Sequence, residues 1–175
     1  MATPKPLRPK IDPAAKRSSA LRSALGRFAT GVAVVTFNDA DGARRGMTIN
    51  SFTSVSLDPP LVLVNVGKSQ RSHDALAGRP FTVNILGAEQ QDLAVSFAGG
   101  PRVDASWVEG EHAPRINGVL AHLECTPWRA YDAGDHTIYL GQVEELDFRE
   151  GDALGYLTSS FTVIPESRLG HEHLI

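Results

Sequence analysis

The chain has 175 residues, of which 42% are apolar and 21% charged, with a formal net charge of -3 and a single cysteine, Cys125. That length suits one domain with a real core, and the composition sets aside disordered, collagen-like and coiled-coil architectures. The acidic balance favours no polyanion, a lone cysteine permits neither an internal disulfide nor a CxxC pair, and no apolar run approaches the ~18 residues of a membrane-spanning helix, so a cytoplasmic protein acting on small molecules is expected, with no nucleic-acid or membrane partner.

Residues 1–17 are basic and proline-rich without an apolar stretch. They read as a flexible arm, with contact to an acidic partner as the functional alternative, and not as a secretory signal. A single domain is expected over residues 18–175. Ser18 and Ser19 can cap a helix in which Leu21, Leu25 and Phe28 share one face. Val32 to Phe37 and Gly46 to Val55 read as the strands of a hairpin turning at Asp41-Gly42. After Asp58-Pro59-Pro60, the apolar run Leu61 to Val66 predicts a central strand buried on both faces.

Ser69 is placed to cap a short helix through Ala77, Phe81 to Leu86 is a strand, and Glu89 to Phe97 has helical spacing. The glycines and prolines of residues 99–117 predict an extended surface excursion. Val119 to Glu124, Thr137 to Leu146 and Ala153 to Thr158 read as further strands, separated by Pro127, Gly134 and Gly151. About seven strands and three short helices predict a mainly β fold, a closed barrel with helical connections.

Several chemistries are excluded by spacing. The sixteen glycines contain no GxG pair, Gly67-Lys68 lacks the glycine of a Walker A loop, and neither GxSxG nor HExxH occurs. His171 and His173, at i and i+2 near the terminus, are read as exposed polar residues, so no metal site is expected. Cys125 lies in a strand-like stretch with no cation nearby to lower its pKa, and is read as a packed thiol.

Two segments are more informative. In GMTINSFTSVSLDPP, strand alternation places Thr48, Asn50, Phe52, Ser54 and Ser56 on one face and Met47, Ile49, Thr53 and Val55 on the other. The polar face is either a solvated edge or a surface that hydrogen-bonds a flat heteroaromatic ring. Lys68-Ser69-Gln70-Arg71 opens a helix after the buried strand, which is either a capped surface helix or a phosphate site.

These residues resemble a known family. Thr30 to Thr36, then GMTINSFTSVSLDPP, then Phe81 to Leu86 with Gln90 and Phe97, then Gly134-Asp135-His136 are similar in order and spacing to the short-chain flavin reductases of two-component flavin-dependent monooxygenases. The resemblance covers roughly residues 21–143. It implies a homodimer of flavin reductase-like split β-barrels that binds FMN or FAD, reduces it with NADH or NADPH, and releases reduced flavin to a partner monooxygenase. It implies that Met47, Thr48, Ile49, Asn50 and Ser51 hold the isoalloxazine edge, that Ser54, Val55 and Ser56 line the ribityl and phosphate path, and that Lys68, Ser69 and Arg71 bind the phosphate. His136 is then the residue expected beside the nicotinamide, where it would orient the dinucleotide, and His73 is a weaker candidate. The C-terminal part departs from the family pattern, since only Tyr156 and Phe161 can be matched and the expected arginine is missing. That departure keeps open a flavin-binding electron-transfer or sensor module that retains its cofactor.

Overall fold

The computed structural model describes residues 13–166. Residues 1–12 of the expected arm, and His171 and His173, lie outside the described residues. The first helix, α1 (Pro13–Leu25), begins ahead of the expected Ser18–Ser19 cap. Proline suits the first turn of a helix, where its missing N–H has no partner to lose. The two serines lie inside it, with Ser18 Oγ accepting from Arg22 at 2.9 Å and Ser23 Oγ donating to Ser19 O at 3.0 Å. Leu21, Leu25 and Phe28 are exposed.

The elements that follow are β1 (Thr30–Gly31), β2 (Ala33–Asn38), β3 (Arg44–Ile49), β4 (Thr53–Leu57), β5 (Pro60–Gly67), α2 (Ser72–Leu76), β6 (Phe81–Ile85), α3 (Gln91–Phe97), β7 (Trp107–Val108), β8 (Arg115–Ile116), β9 (Ala121–Ala133), β10 (His136–Phe148), β11 (Ala153–Leu157) and β12 (Ser160–Ile164). The Asp41-Gly42 hairpin forms as expected. Gly42 takes φ 76°, which strains a side chain, and Asp39 Oδ1 accepts the N–H groups of Asp41 and Ala43 at 3.0 and 2.9 Å.

The second arm of that hairpin does not run on to Val55. β3 stops at Ile49, β4 begins at Thr53, and the two lie at opposite ends of a seven-stranded antiparallel sheet ordered β3-β2-β6-β9-β10-β5-β4. Residues 50–52 can span no more than ~14 Å between the flanking Cα atoms, so the sheet must curl until its first and last strands nearly meet. No hydrogen-bonded ladder joins β3 to β4, and the expected closed barrel is instead split along this seam. The corner also overturns the shared polar face expected for Thr48 to Ser56, because the alternation is interrupted where the chain crosses from one edge to the other. A register irregularity between Ser54 and Ser56 disturbs it again.

β5 is likewise not central. It lies between β10 and the edge strand β4, with Val62, Val64 and Val66 buried and Leu63 and Asn65 half-buried. β2, like β6, is covered on both faces. Its Ala33, Val35 and Phe37 enter the barrel core with Met47, Val64 and Phe81, while Val34 packs outside with Leu86, Ala94, Ile116 and Leu154. Two further expectations are corrected, and one strand is additional to those expected. Pro127 does not end a strand but lies within β9, at a register shift opposite Gly141 where a proline costs no ladder bond. α2 starts only after Arg71 and has no side-chain cap, so Ser69 sits in the preceding turn. β12 has no glycine to announce its turn, which is made by Thr158 and Ser159 at φ 48° and 64°.

The excursion at residues 99–117 is fastened to the sheet by buried polar side chains. Asn84 Oδ1 accepts from Ile116 N at 2.8 Å while its Nδ2 donates to Val34 O and Thr36 Oγ1, both at 2.9 Å. Thr36 Oγ1 donates to Pro114 O, Thr82 Oγ1 donates to Ala113 O at 3.3 Å, and Glu124 accepts from His112 N at 2.9 Å. Replacing Asn84 by alanine orphans several buried groups at once. Asn84→Ala is expected to lower the unfolding free energy in urea by at least about 2 kcal/mol, with amide exchange of Ile116 accelerated first.

Candidate functional site

The seam opens a pocket. Thr48, Ile49, Asn50 and Ser51 form one wall, Asn65 and Gln70 another, and Ala133, His136 and Ile138 of the long β9–β10 hairpin the third, around about 410 Å³. A second hollow of about 200 Å³ adjoins it, sharing Thr48, Ile49 and Asn50 and completed by Val32, Ala98, Tyr156 and Phe161. Tyr156 and Phe161 meet edge to face, with ring centroids 5.4 Å apart. Both C-terminal aromatics therefore line the hollow while also packing on the outer core.

Hydrogen bonds decide which polar groups are available. Thr48 Oγ1 donates to Ala94 O at 2.6 Å, which ties β3 to α3. Ser51 Oγ donates to Asn65 O at 3.2 Å and accepts from Asn65 N at 3.1 Å, clasping the corner onto β5 where no ladder exists. Both hydroxyl hydrogens are thus committed to the protein. Asn50 and Gln70 are exposed, and Asn65 Oδ1 is buried without a donor. An orphaned carbonyl of this kind costs about 1–3 kcal/mol, and Asn65 itself lines the pocket wall.

His136 opens β10 opposite Gly67. Its Nδ1 lies 2.7 Å from Asp135 Oδ1, and the hydrogen bond from His136, reinforced by its charge, holds the Asp135 carboxyl below the usual range. An ionised carboxylate can only accept, so Nδ1 carries the hydrogen and Nε2 is turned over Gly67, where an added Cβ would lie 3.6 Å from it. Lys68 spans the same hairpin tip. Its Nζ pairs with Asp132, lowering that carboxyl's pKa chiefly through the hydrogen bond, and donates to Gly134 O at 2.7 Å.

Of the residues expected to hold a cofactor, Thr48, Ile49, Asn50 and Ser51 come together with His136 around the larger pocket. Met47 is buried in the core beneath them. Ser54 and Val55 are exposed on the edge strand and Ser56 is half-buried there, while Lys68, Ser69 and Arg71 are exposed in the turn between β5 and α2. α2 itself begins at Ser72 and has five residues, so Lys68 and Ser69 stand in the turn ahead of it and Arg71 at its N-cap. His73 is held in place by Asp74 at 2.7 Å and Thr137 Oγ1 at 2.8 Å, and accepts the Tyr139 hydroxyl hydrogen at its carbonyl, 3.1 Å away. Its ring also meets Tyr139 edge to face, with centroids 6.0 Å apart. Asn65 and Gln70 were missed as pocket residues, although a lone amide in the run Leu61 to Val66 is a signal that the apolar reading passed over.

Comparison with known proteins follows the same lines. The family described as flavin reductase like domain matches residues 25–165. The chain is 43% identical over 153 residues to an FMN reductase (NADH) of Agrobacterium fabrum, covering 85% of this chain and 87% of that one. It is 49% identical over 143 residues to an NADH-dependent FAD reductase of Streptomyces globisporus, covering 76% of each. Among solved structures, the Streptomyces globisporus NADH:FAD oxidoreductase in complex with NAD and FAD fragments superposes with a TM-score of 0.77 at 41% identity, covering 95% of this chain and 99% of that one. The flavin reductase component of a bacterial two-component tryptophan halogenase gives 0.78 at 41% identity, covering 86% and 99%.

Cys125 is fully buried and burial pushes its thiol up to about 12, as a packed and unreactive side chain requires. Iodoacetamide at pH 8 is expected to leave the native protein unmodified and to label it stoichiometrically in denaturant, read by intact mass.

Proposed function

From the premise that this chain belongs to the flavin reductase-like family, we propose that it works as an NAD(P)H:flavin oxidoreductase that supplies diffusible reduced flavin to a partner monooxygenase. Its relatives are NADH-dependent reductases of FMN or FAD, and some are named as reductase components of monooxygenases. The observation that carries the reading is the pocket on the barrel seam, where the Thr48–Ser51 wall, an orphaned Asn65 carbonyl and His136 converge. No Rossmann fingerprint is needed, because the dinucleotide has only to reach the flavin ring.

The residues present fit a flavin. A ring with alternating acceptors and one N–H along its pyrimidine edge would answer the exposed amides of Asn50 and Gln70 and the unpartnered Asn65 Oδ1. Flavin, when bound, supplies an acceptor for the hydride of NAD(P)H and passes two electrons on. The chain contributes position and field. Ile49 and Ile138 exclude water, while the side-chain donors of Asn50 and Gln70, with main-chain N–H groups at the corner, stabilise negative charge on the pyrimidine edge. Met47 supports that wall from the core. Ser54, Val55 and Ser56 offer an edge for the ribityl chain, and Lys68, Ser69 and Arg71 offer cations and donors for the phosphate. His136, held through Nδ1 by Asp135, would orient the nicotinamide without carrying the hydride.

We further assign a homodimer and a cytoplasmic location. The exposed Leu21, Leu25 and Phe28 on and after α1, with Val55 and a 95% exposed Leu57 on an edge strand, are apolar surface that a second copy would cover. Consumption of NAD(P)H places the protein with the intracellular pool of that cofactor.

Oxidation of NADH and NADPH by purified protein, with FAD, with FMN and without flavin, is expected to show turnover that saturates in added flavin. Absence of turnover with every pair, despite flavin binding, would transfer the assignment to a module that retains its flavin. His136→Ala is expected to lower kcat/KM for the nicotinamide at least about tenfold, near 1.4 kcal/mol, while flavin affinity changes far less. Sedimentation equilibrium is expected to return twice the chain mass.

A further inference from the structure

A third pocket lies at the other end of the β9–β10 hairpin. It encloses about 240 Å³ and shares no residue with the seam pocket. His122 and Asp147 face each other across the strands there, whereas Ala133 and His136 flank the hairpin tip. Ten residues of β9 lie between His122 and Ala133, a path of about 36 Å.

Arg115 is presented to this pocket on a fastened backbone. The carbonyls of Ala113 and Pro114 accept from Thr82 and Thr36, and Ile116 N donates to Asn84, so the residues on both sides of Arg115 are bound to buried polar groups of the sheet. Its Nη1 meets His122 Nε2. Guanidinium nitrogens only donate, so the imidazole accepts and is neutral. Burial first, then the Arg115 charge, hold the His122 pKa below its ordinary value.

The charges lining the pocket are therefore uneven. Arg149 is consumed, with Nη2 on Glu89 at 2.6 Å and on Gly118 O at 2.7 Å. Arg115 has no ion pair with any carboxylate among the described residues, and Asp147 has none with any cation; its Oδ1 accepts only the N–H of Phe148, at 2.8 Å. One uncompensated cation and one uncompensated anion thus flank a neutral imidazole. The floor is apolar, from the buried Ile116 and Val119, and Phe148 stands at the rim with 77% of its surface exposed.

The geometry points to a binding site for an α-amino acid with an apolar side chain, its carboxylate on Arg115, its ammonium on Asp147 and its side chain against Phe148. Arg115 is half-buried and Asp147 exposed, and an α-amino acid would engage both charges where a ligand of one sign would engage only one. The volume is below that of ordinary drug-sized pockets, roughly 300–1,000 Å³, and too small for flavin or dinucleotide.

The test titrates the full chain by calorimetry with L-phenylalanine and L-leucine, and with 3-phenylpropanoate and 2-phenylethylamine, which each lack one charge. Saturable binding of at least one amino acid is expected. Affinity should fall at least about tenfold when either ligand charge is removed, and likewise in Arg115→Gln and Asp147→Asn proteins whose unfolding midpoints match the wild type. Should a variant fail to fold, the two single-charge analogues decide on wild-type protein. The proposal is overturned if neither amino acid binds saturably, if 3-phenylpropanoate binds as well as phenylalanine, if both folded variants bind undiminished, or if FMN displaces the ligand.

Discussion

Three residues, Asn50, Ser51 and Phe52, join the two outermost strands of a seven-stranded sheet, and most of the molecule follows from that shortness. A flat twisted sheet of seven strands would set its edges about 28 Å apart, at 4.7–4.9 Å per strand. A link of three residues cannot reach that far, so the sheet curls and its concave side becomes the core of Val35, Phe37, Val64, Phe81 and Val83. No ladder joins β3 to β4, and the two bonds between Ser51 and Asn65 fasten the corner to β5 instead. Exposed amides and an open pocket occur together there for one reason. A closed barrel would have consumed them.

The opposite side of the sheet is organised by a different need. β2 is covered on both faces, with Val35 and Phe37 inward and Val34 outward, so its outward residues must also be matched. Thr36, Thr82 and Asn84 are buried polar side chains on β2 and β6, and they are affordable only because each finds a partner in the excursion at residues 113–116 or in the neighbouring strand. The glycine- and proline-rich excursion is consequently bound to the sheet. α3 is brought close in a related way, since Gly46 leaves the space that the Phe97 ring fills, where a Cβ would come within 2.6 Å of it.

What was legible followed from local chemistry. Asp41-Gly42 announced a hairpin because its turn requires a positive φ and a side-chain acceptor, and both requirements are met by those two residues and Asp39. Cys125 could be read as inert because burial above all, with the nearby Glu144 and Glu124 carboxylates adding to it, raises its thiol pKa. Thr48 to Ser51 and His136 stood out as a motif, but 85 residues separate Ser51 from His136, and only the pairing of β10 with β5 unites them. Asn65 was hidden by an apolar run, and the break in the Gly46 to Val55 stretch was hidden because Asn50 and Ser51 suit a strand as well as a corner. Pro127 misled for the converse reason, since a bulge lets a proline stay inside a strand.

The sequence by itself determined the strand-rich class, the first hairpin, the buried thiol and, through its resemblance to the flavin reductases, the reaction, because these rest on neighbouring residues or on a long conserved order of motifs. Tertiary structure alone decided that the barrel stays split, which hydroxyls are spent on the protein and which amides are left exposed, and that Arg115 and Asp147 share a pocket. Those outcomes depend on strand register and on which distant groups compete for each hydrogen bond, and neither is encoded within the few residues over which local propensity acts.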